Sequence, residues 1–237
     1  LKELMSEGIQ PDIVACRCQH QVIDKVREKI SVFANVPMER VVSVHDVDSI
    51  YLLPTLLRKY KLDEQTIQFL GLQNRAKIDE TAKNEWENYV YKLLGLEKEI
   101  TIGITGKYTS LRDSYASIIK ALEHAGTHFG AKVNLKWIDT TFLTEEKVAT
   151  ELAGLQGILV PGAFGSRGAE GKITCIKYAR ENKIPYLGLC YGMQLQVIEF
   201  ARNVVGLKGA HTTEVDPKTK YPVIDVMVEQ KKHLRQE

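Results

Sequence analysis

Gly188-Leu189-Cys190-Tyr191-Gly192-Met193-Gln194 stands between an apolar run, Ile184-Pro185-Tyr186-Leu187, and an amphipathic run from Gln194 to Arg202. That order predicts a strand, a tight turn and a helix. Glycines two residues either side of one cysteine give the nucleophile-elbow spacing, with sulfur in place of a hydroxyl. The glycines let the turn approach neighbouring backbone where a Cβ would clash. The turn lifts the thiol out of the sheet, and the start of the following helix favours the thiolate, the reactive form. Cys190 is therefore the candidate nucleophile, and hydrolysis of a glutamine side chain is one reaction of the acyl-transfer class it suits. A small cysteine packed between strand and helix is the competing reading for a lone Cys. The paired glycines decide against it.

Upstream, Gly157-Ile158-Leu159-Val160-Pro161-Gly162-Ala163-Phe164-Gly165 reads as an apolar strand ending in a glycine-rich turn. In an open parallel sheet, ligands bind beyond the carboxyl ends of strands. Two neighbouring strands ending in such turns bring backbone N–H groups to the sulfur, as an oxyanion hole requires.

The rest of the chain extends this pattern in both directions. From residue 99, strands (Ile100 to Gly103, Val133 to Ile138, Ile158 to Val160, Tyr186 to Leu189) alternate with helical patterns (Asp113 to Phe129, Glu145 to Leu152, Gly171 to Glu181, Tyr191 to Ala201). This alternation predicts a parallel sheet covered by helices on both faces. Residues 1–75 carry a shorter α/β pattern. It has strands at Ile13 to Cys16 and Val41 to Val44, and a helix over Val22 to Ala34 with Val22, Val26, Ile30 and Phe33 on its apolar face. Residues 76–98 read as a linker with a helix from Thr81 to Leu94, whose Trp86, Val90 and Leu93 share a face that docks on one domain. Gly103 to Tyr108 lacks the glycine-lysine-serine/threonine spacing of a phosphate loop.

A net charge of +2 gives no reason to expect a nucleic-acid or membrane surface, and no apolar run approaches the ~20 residues of a membrane-spanning helix. Four cysteines (Cys16, Cys18, Cys175, Cys190) in 237 residues do not make a disulfide scaffold and point to a reducing, cytoplasmic setting. Cys16 and Cys18 are spaced more closely than a usual zinc pair and no second pair follows, so strand packing is expected there and no metal site. The first residue is Leu1 rather than Met, and the chain is expected to be a fragment or a processed product.

The residues also resemble a known family, the CTP synthases. Gly8 to Asp12, Cys16-Arg17-Cys18, Val44 to Tyr51, Gly106-Lys107-Tyr108, Asp113 to Leu122, Val160 to Lys172, Gly188 to Gln194 and Thr212-Thr213-Glu214 are similar to that family's segments, in its order. The resemblance implies the tail of a P-loop-type amidoligase (synthetase) domain over 1–75. It implies a parallel-sheet class I glutamine amidotransferase domain over 99–237, truncated at its C-terminal end, flavodoxin-like with an α/β-hydrolase-like elbow. It implies CTP synthesis from UTP, ATP and glutamine, with Mg in the parent synthetase domain and GTP as allosteric activator. In that scheme Cys190 releases ammonia from glutamine, and the ammonia displaces phosphate from ATP-activated UTP. Gly162, Ala163 and Tyr191 would supply the oxyanion hole, and Gln194 and Glu214 would hold the substrate glutamine. Phe164, Arg167, Gly168 and Glu170 would form the GTP lid, and His45, Asp46 and Val47 would line the adenine side of the ATP site. A homotetramer is implied for the parent protein.

Three features depart from the family pattern. Ala163 stands where a second glycine is usual, at a cost of about 1 kcal/mol if that position needs φ > 0. Tyr191 stands where an aliphatic residue is usual, with a ring expected to crowd the pocket. No His-Pro-Glu motif occurs, and none of His20, His45, His124, His128, His211 and His233 has a glutamate two positions on. The chain alone is therefore expected to lack the triad base and to be inactive, with His211, expected in a loop, the first candidate for a surrogate. The alternative is a truncated, non-catalytic paralogue that binds full-length enzyme in an assembly.

Overall fold

The computed structural model describes residues 1–76, 79–106, 112–162, 167–227 and 230, with residues 112 and 113 described by their backbone only. The chain divides into two compact units, Leu1–Leu94 and Gly95–Glu237.

The first unit holds α1 (Lys2–Ser6), β1 (Val14–Cys18), α2 (Asp24–Ala34), β2 (Val41–His45), α3 (Leu53–Lys59), α4 (Leu62–Phe69) and α5 (Glu80–Leu94). The two strands pair in parallel, with Val14 opposite Val41 and Cys18 opposite His45. A small core gathers Ala34, Val36 and Val41 with Val14, Cys16 and Ile30. The face expected for α2 is only partly used. Ile30 packs inward, but Val26 and Phe33 are 41% and 50% exposed, and Val22 lies before the helix starts. Two strands present too narrow a surface to cover a full helical stripe. The Val22 N–H instead donates to Ser43 Oγ at 2.9 Å, and Lys2 Nζ sits 5.9 Å from the centre of the Phe33 ring.

Helix α5 is capped by Asp79, whose carboxylate accepts from the Ala82 N–H at 3.0 Å. It docks on its own unit. Trp86 Nε1 donates to the Tyr51 carbonyl at 3.0 Å, Tyr51 meets Trp86 and Tyr89 edge-on, and Val90 is buried.

The second unit runs β3 (Glu99–Gly106), α6 (Ala116–Phe129), β4 (Lys132–Asp139), α7 (Glu145–Leu152), β5 (Gly157–Val160), α8 (Ala169–Glu181), β6 (Tyr186–Gly188), α9 (Tyr191–Asn203), β7 (His211–Thr212) and β8 (Pro222–Ile224). Its main sheet is parallel in the order β4-β3-β5-β6. Every residue of β5 is buried, as expected of a strand covered on both faces. One core cluster joins Ile138, Val148, Leu152, Leu155, Ile158, Cys175 and Ala179; another joins Val160, Ala169, Ile173, Ile176, Tyr191, Leu195 and Ile198. Helix α8 contributes to both. It is tied to α9 by Arg180, whose Nε and Nη2 reach the Glu199 carboxylate, 1% exposed, at 3.1 and 2.9 Å.

Candidate functional site

Cys190 occupies the turn between β6 and α9, with φ 52° and ψ −110°. A non-glycine residue at positive φ costs on the order of 1–3 kcal/mol and persists only where its surroundings hold it. Here they do. The Leu189 N–H donates to the Val160 carbonyl at 2.9 Å, the Gly192 N–H to the Leu189 carbonyl at 2.8 Å, and the Tyr186 hydroxyl to the Gly192 carbonyl at 2.6 Å.

The two elbow glycines are required by close approach. A Cβ on Gly192 would lie 2.0 Å from the Val160 carbonyl oxygen, and one on Gly188 would lie 2.6 Å from the Met193 nitrogen. The result is an exposed thiol at a sheet end. Cys175 is its opposite: fully buried, with its pKa pushed up to about 12, chiefly by burial.

Gly162, at the carboxyl end of β5, faces the thiol. A Cβ there would lie 3.3 Å from Cys190 Cβ and 3.8 Å from Sγ. The carboxyl ends of two neighbouring parallel strands therefore meet at the sulfur. Tyr191 is the first residue of α9, and its ring is 4% exposed inside the core cluster. The ring, expected from the sequence to crowd the pocket, packs with Ile173 and Ile176 of α8 and Leu195 and Ile198 of α9. Burial, then the charges of Glu214 and Glu170, raises the Tyr191 pKa. Gln194 is half-buried one turn into α9, where its N–H donates to the Cys190 carbonyl at 3.2 Å.

Glu214 is exposed just after β7, its N–H donating to Thr212 Oγ1 at 3.3 Å. Arg167 is exposed, and Gly168 caps α8 at φ 77°. Glu170 is held by Arg202, whose Nη1 reaches its two oxygens at 3.1 and 2.8 Å, while Arg202 Nε donates to the Ala210 carbonyl at 2.7 Å. Ala163 and Phe164 lie outside the described residues.

His211 is not in a loop but in β7, buried, with Nδ1 accepting from the Thr212 N–H at 2.8 Å. Its Nε2 points to Glu170 at 3.8 Å. Burial first, then the Arg202 charge, lowers its pKa, so the neutral ring is favoured. Its near partners are Glu170 and Arg202. Glu170 lies 32 positions before Arg202 and 41 before His211, so no local motif announces the cluster. Lys172 is a residue to which the sequence alone assigns no role. It is 2% exposed, an unusual state for lysine, and its Nζ lies 3.4 Å from the Pro161 carbonyl.

In the first unit, His45 and Asp46 follow one another at the end of β2. His45 Nδ1 lies 3.1 Å from Ser43 Oγ, Asp46 pairs with Arg17, and the Asp46 N–H donates to the Cys18 carbonyl at 3.2 Å. Val47 is half-buried beside them. Burial and the neighbouring Cys18 raise the Cys16 pKa. Among the described residues no group of three or more His, Cys, Asp or Glu side chains is arranged to hold a metal, and no helix is long and apolar enough to cross a membrane.

Comparison with known proteins agrees with this geometry. Residues 110–235 match the family model described as glutamine amidotransferase class-I, and residues 1–72 match that of the CTP synthase N-terminus. CTP synthases of Caldanaerobacter subterraneus subsp. tengcongensis and Pyrococcus abyssi are each 49% identical over 231 residues, 98% of this chain and 42% of theirs. The chain thus spans less than half the length of these curated relatives. A solved glutaminase domain of Trypanosoma brucei CTPS with bound acivicin is similar at 34% identity and a TM-score of 0.52, covering 54% of this chain and 50% of that one. From the elbow, the parallel sheet and these matches together, the chain belongs to the CTP synthase family, and its second unit carries the class-I glutamine amidotransferase fold.

Proposed function

We propose that this chain forms part of a glutamine-dependent CTP synthase, in which Cys190 is the nucleophile that takes ammonia from glutamine. The observation that carries the reading is the exposed thiol at positive φ, facing Gly162 across the carboxyl ends of β5 and β6. The Cys190 sulfur attacks the side-chain carbonyl carbon, the carbonyl oxygen becomes an oxyanion, and collapse expels ammonia to leave a glutamyl thioester. Water then cleaves the thioester to glutamate. The Gly162 and Tyr191 N–H groups, with the Ala163 turn, receive the oxyanion. Gln194 and the Glu214 carboxylate hold the substrate, the latter through its ammonium.

The ammonia is passed to UTP activated by ATP at the 4-oxygen, in a sheltered route that keeps it unprotonated. His45, Asp46 and Val47 suit the adenine side of ATP, because they sit at the carboxyl ends of paired parallel strands with the His45 ring fixed by Ser43. Mg would accompany the ATP phosphates and neutralise their charge. GTP activation through Phe164, Arg167, Gly168 and Glu170 is supported by the exposure of Arg167 next to the elbow's neighbouring helix. Homotetramer assembly and a cytoplasmic setting rest on family membership.

The described geometry gives the thiol no base, because His211 faces Glu170 and has Nδ1 engaged. The chain alone is therefore expected to release ammonia on the order of 10⁶-fold more slowly than a complete enzyme, the loss that removal of a triad base causes. Glutaminase assays of the chain and of Cys190→Ala, with and without GTP, test this. Ammonia release unchanged in Cys190→Ala would refute the assignment of the nucleophile. Release from the chain alone at the rate of a complete enzyme would refute the missing base.

A further inference from the structure

We propose that Lys172 is a positioning residue that aims the Gly162 N–H at the oxyanion, an inference that rests on the glutamine reading above. Lys172 lies in the first turn of α8, and its side chain is 2% exposed. Its neighbours on that face, Ala169, Ile173 and Ile176, are core residues. An apolar side chain would satisfy this environment. A buried cation does not, and the amino-terminal turn of a helix repels positive charge besides. A lysine kept there has polar work to do, and one of its contacts is with the turn itself: Nζ reaches the Pro161 carbonyl oxygen at 3.4 Å.

That oxygen and the Gly162 N–H belong to one planar trans peptide, so they point in opposite directions. Holding the carbonyl down toward α8 turns the N–H away from α8. Gly162 is the residue whose Cβ position lies 3.8 Å from Cys190 Sγ, so the tilt of this peptide plane decides how its N–H meets a group bound at the thiol. Pro161 strengthens the arrangement, because its ring fixes its own φ and leaves the following peptide plane as the element to be oriented.

The experiment compares two electrophiles on Cys190 of the full chain, read by intact and peptide mass. Iodoacetamide needs only an accessible thiolate. A glutamine-shaped chloromethyl ketone, L-2-amino-4-oxo-5-chloropentanoate, develops negative charge on its ketone oxygen while sulfur displaces chloride to form a thioether. Wild type is expected to prefer the ketone. Lys172→Met is expected to lower the ketone rate by about tenfold to a hundredfold, with the iodoacetamide rate within about twofold. Lys172→Arg is expected to restore much of the preference, and the Gly162 amide resonance to move in Lys172→Met and return in Lys172→Arg.

Buried Cys175 reports folding, since iodoacetamide reaches it only when the chain opens. If Lys172→Met labels there, Lys172→Gln takes its place with the same expected loss. A wild type without ketone preference overturns the glutamine reading and the proposal with it. A wild type with the preference and a folded neutral variant that keeps it overturns the proposal alone.

Discussion

Gly192→Ala tests whether close approach of α9 to β5 is what sets the elbow. The added methyl would sit 2.0 Å from the Val160 carbonyl oxygen, which is 1.4 Å short of the 3.4 Å at which ordinary contact begins. The obstacle is backbone in a fully buried strand, so it cannot swing aside. Relief requires the start of α9 to lift by about the same distance, which strains the Gly192–Leu189 and Tyr186–Gly192 hydrogen bonds. Overpacking of this kind costs about 1–3 kcal/mol, and a strained turn hydrogen bond adds about 1 kcal/mol, so the expected loss is about 3 kcal/mol. A shift near 1 Å at the sulfur costs about a hundredfold in a positioned reaction.

Urea denaturation reads the first quantity, and the rate of Cys190 modification by the glutamine-shaped ketone reads the second. Gly206→Ala is the control, because it has φ 82° with open space around it and should lose only about 1 kcal/mol. If Gly192→Ala is no worse than Gly206→Ala, and Cys190 labels at the wild-type rate, the reasoning from close approach is wrong.

Removing Arg180 as Arg180→Ala leaves the Glu199 carboxylate buried with Asn203. Because Arg180 is itself about a third exposed, the expected loss is about 2 kcal/mol rather than the 3–5 of a fully buried pair, measured as a fall in the urea midpoint. Tyr191→Phe removes a buried hydroxyl that has no hydrogen-bond partner among the described residues, and should raise stability by about 1 kcal/mol in thermal melts. His211 titrates below its ordinary value of 6.5 in the folded chain, so the unfolded chain takes up its proton first. Its contribution to stability is complete above pH 6.5 and is lost as pH falls through the lower folded value. His211→Gln should flatten the decline in urea midpoint between pH 7 and pH 5; an unchanged slope would reject the assignment.

The second unit was legible because its signals are local. Alternating apolar periods, with glycines at the turns, define β3 through α9 to within a few residues. The elbow was legible for a sharper reason: the spacing of Gly188 and Gly192 records steric contacts with Met193 and Val160 that only those positions make. What escaped was set by packing between distant segments. The Glu170–Arg202–His211 cluster joins α8, α9 and β7, and nothing near any one of them names the other two. A lysine in a first helical turn reads as a surface residue, so the burial of Lys172 was invisible. The half-exposed Phe33 shows the converse, since helical spacing marks an apolar stripe on α2 but not how much of it two described strands can cover.

Helix α8 belongs to both core clusters, is capped by Gly168 and carries Lys172 in its first turn. It therefore acts as a lever arm between the far half of the core and the turn that faces the thiol. Enlarging Ala179, fully buried near the distal end of that helix, would press on the same rigid rod that seats Lys172. Damage remote from the sulfur should then present as a defect in chemistry before it presents as unfolding. A screen for folded variants whose Cys190 labels slowly with the glutamine-shaped ketone should find its hits strung along the buried face of α8.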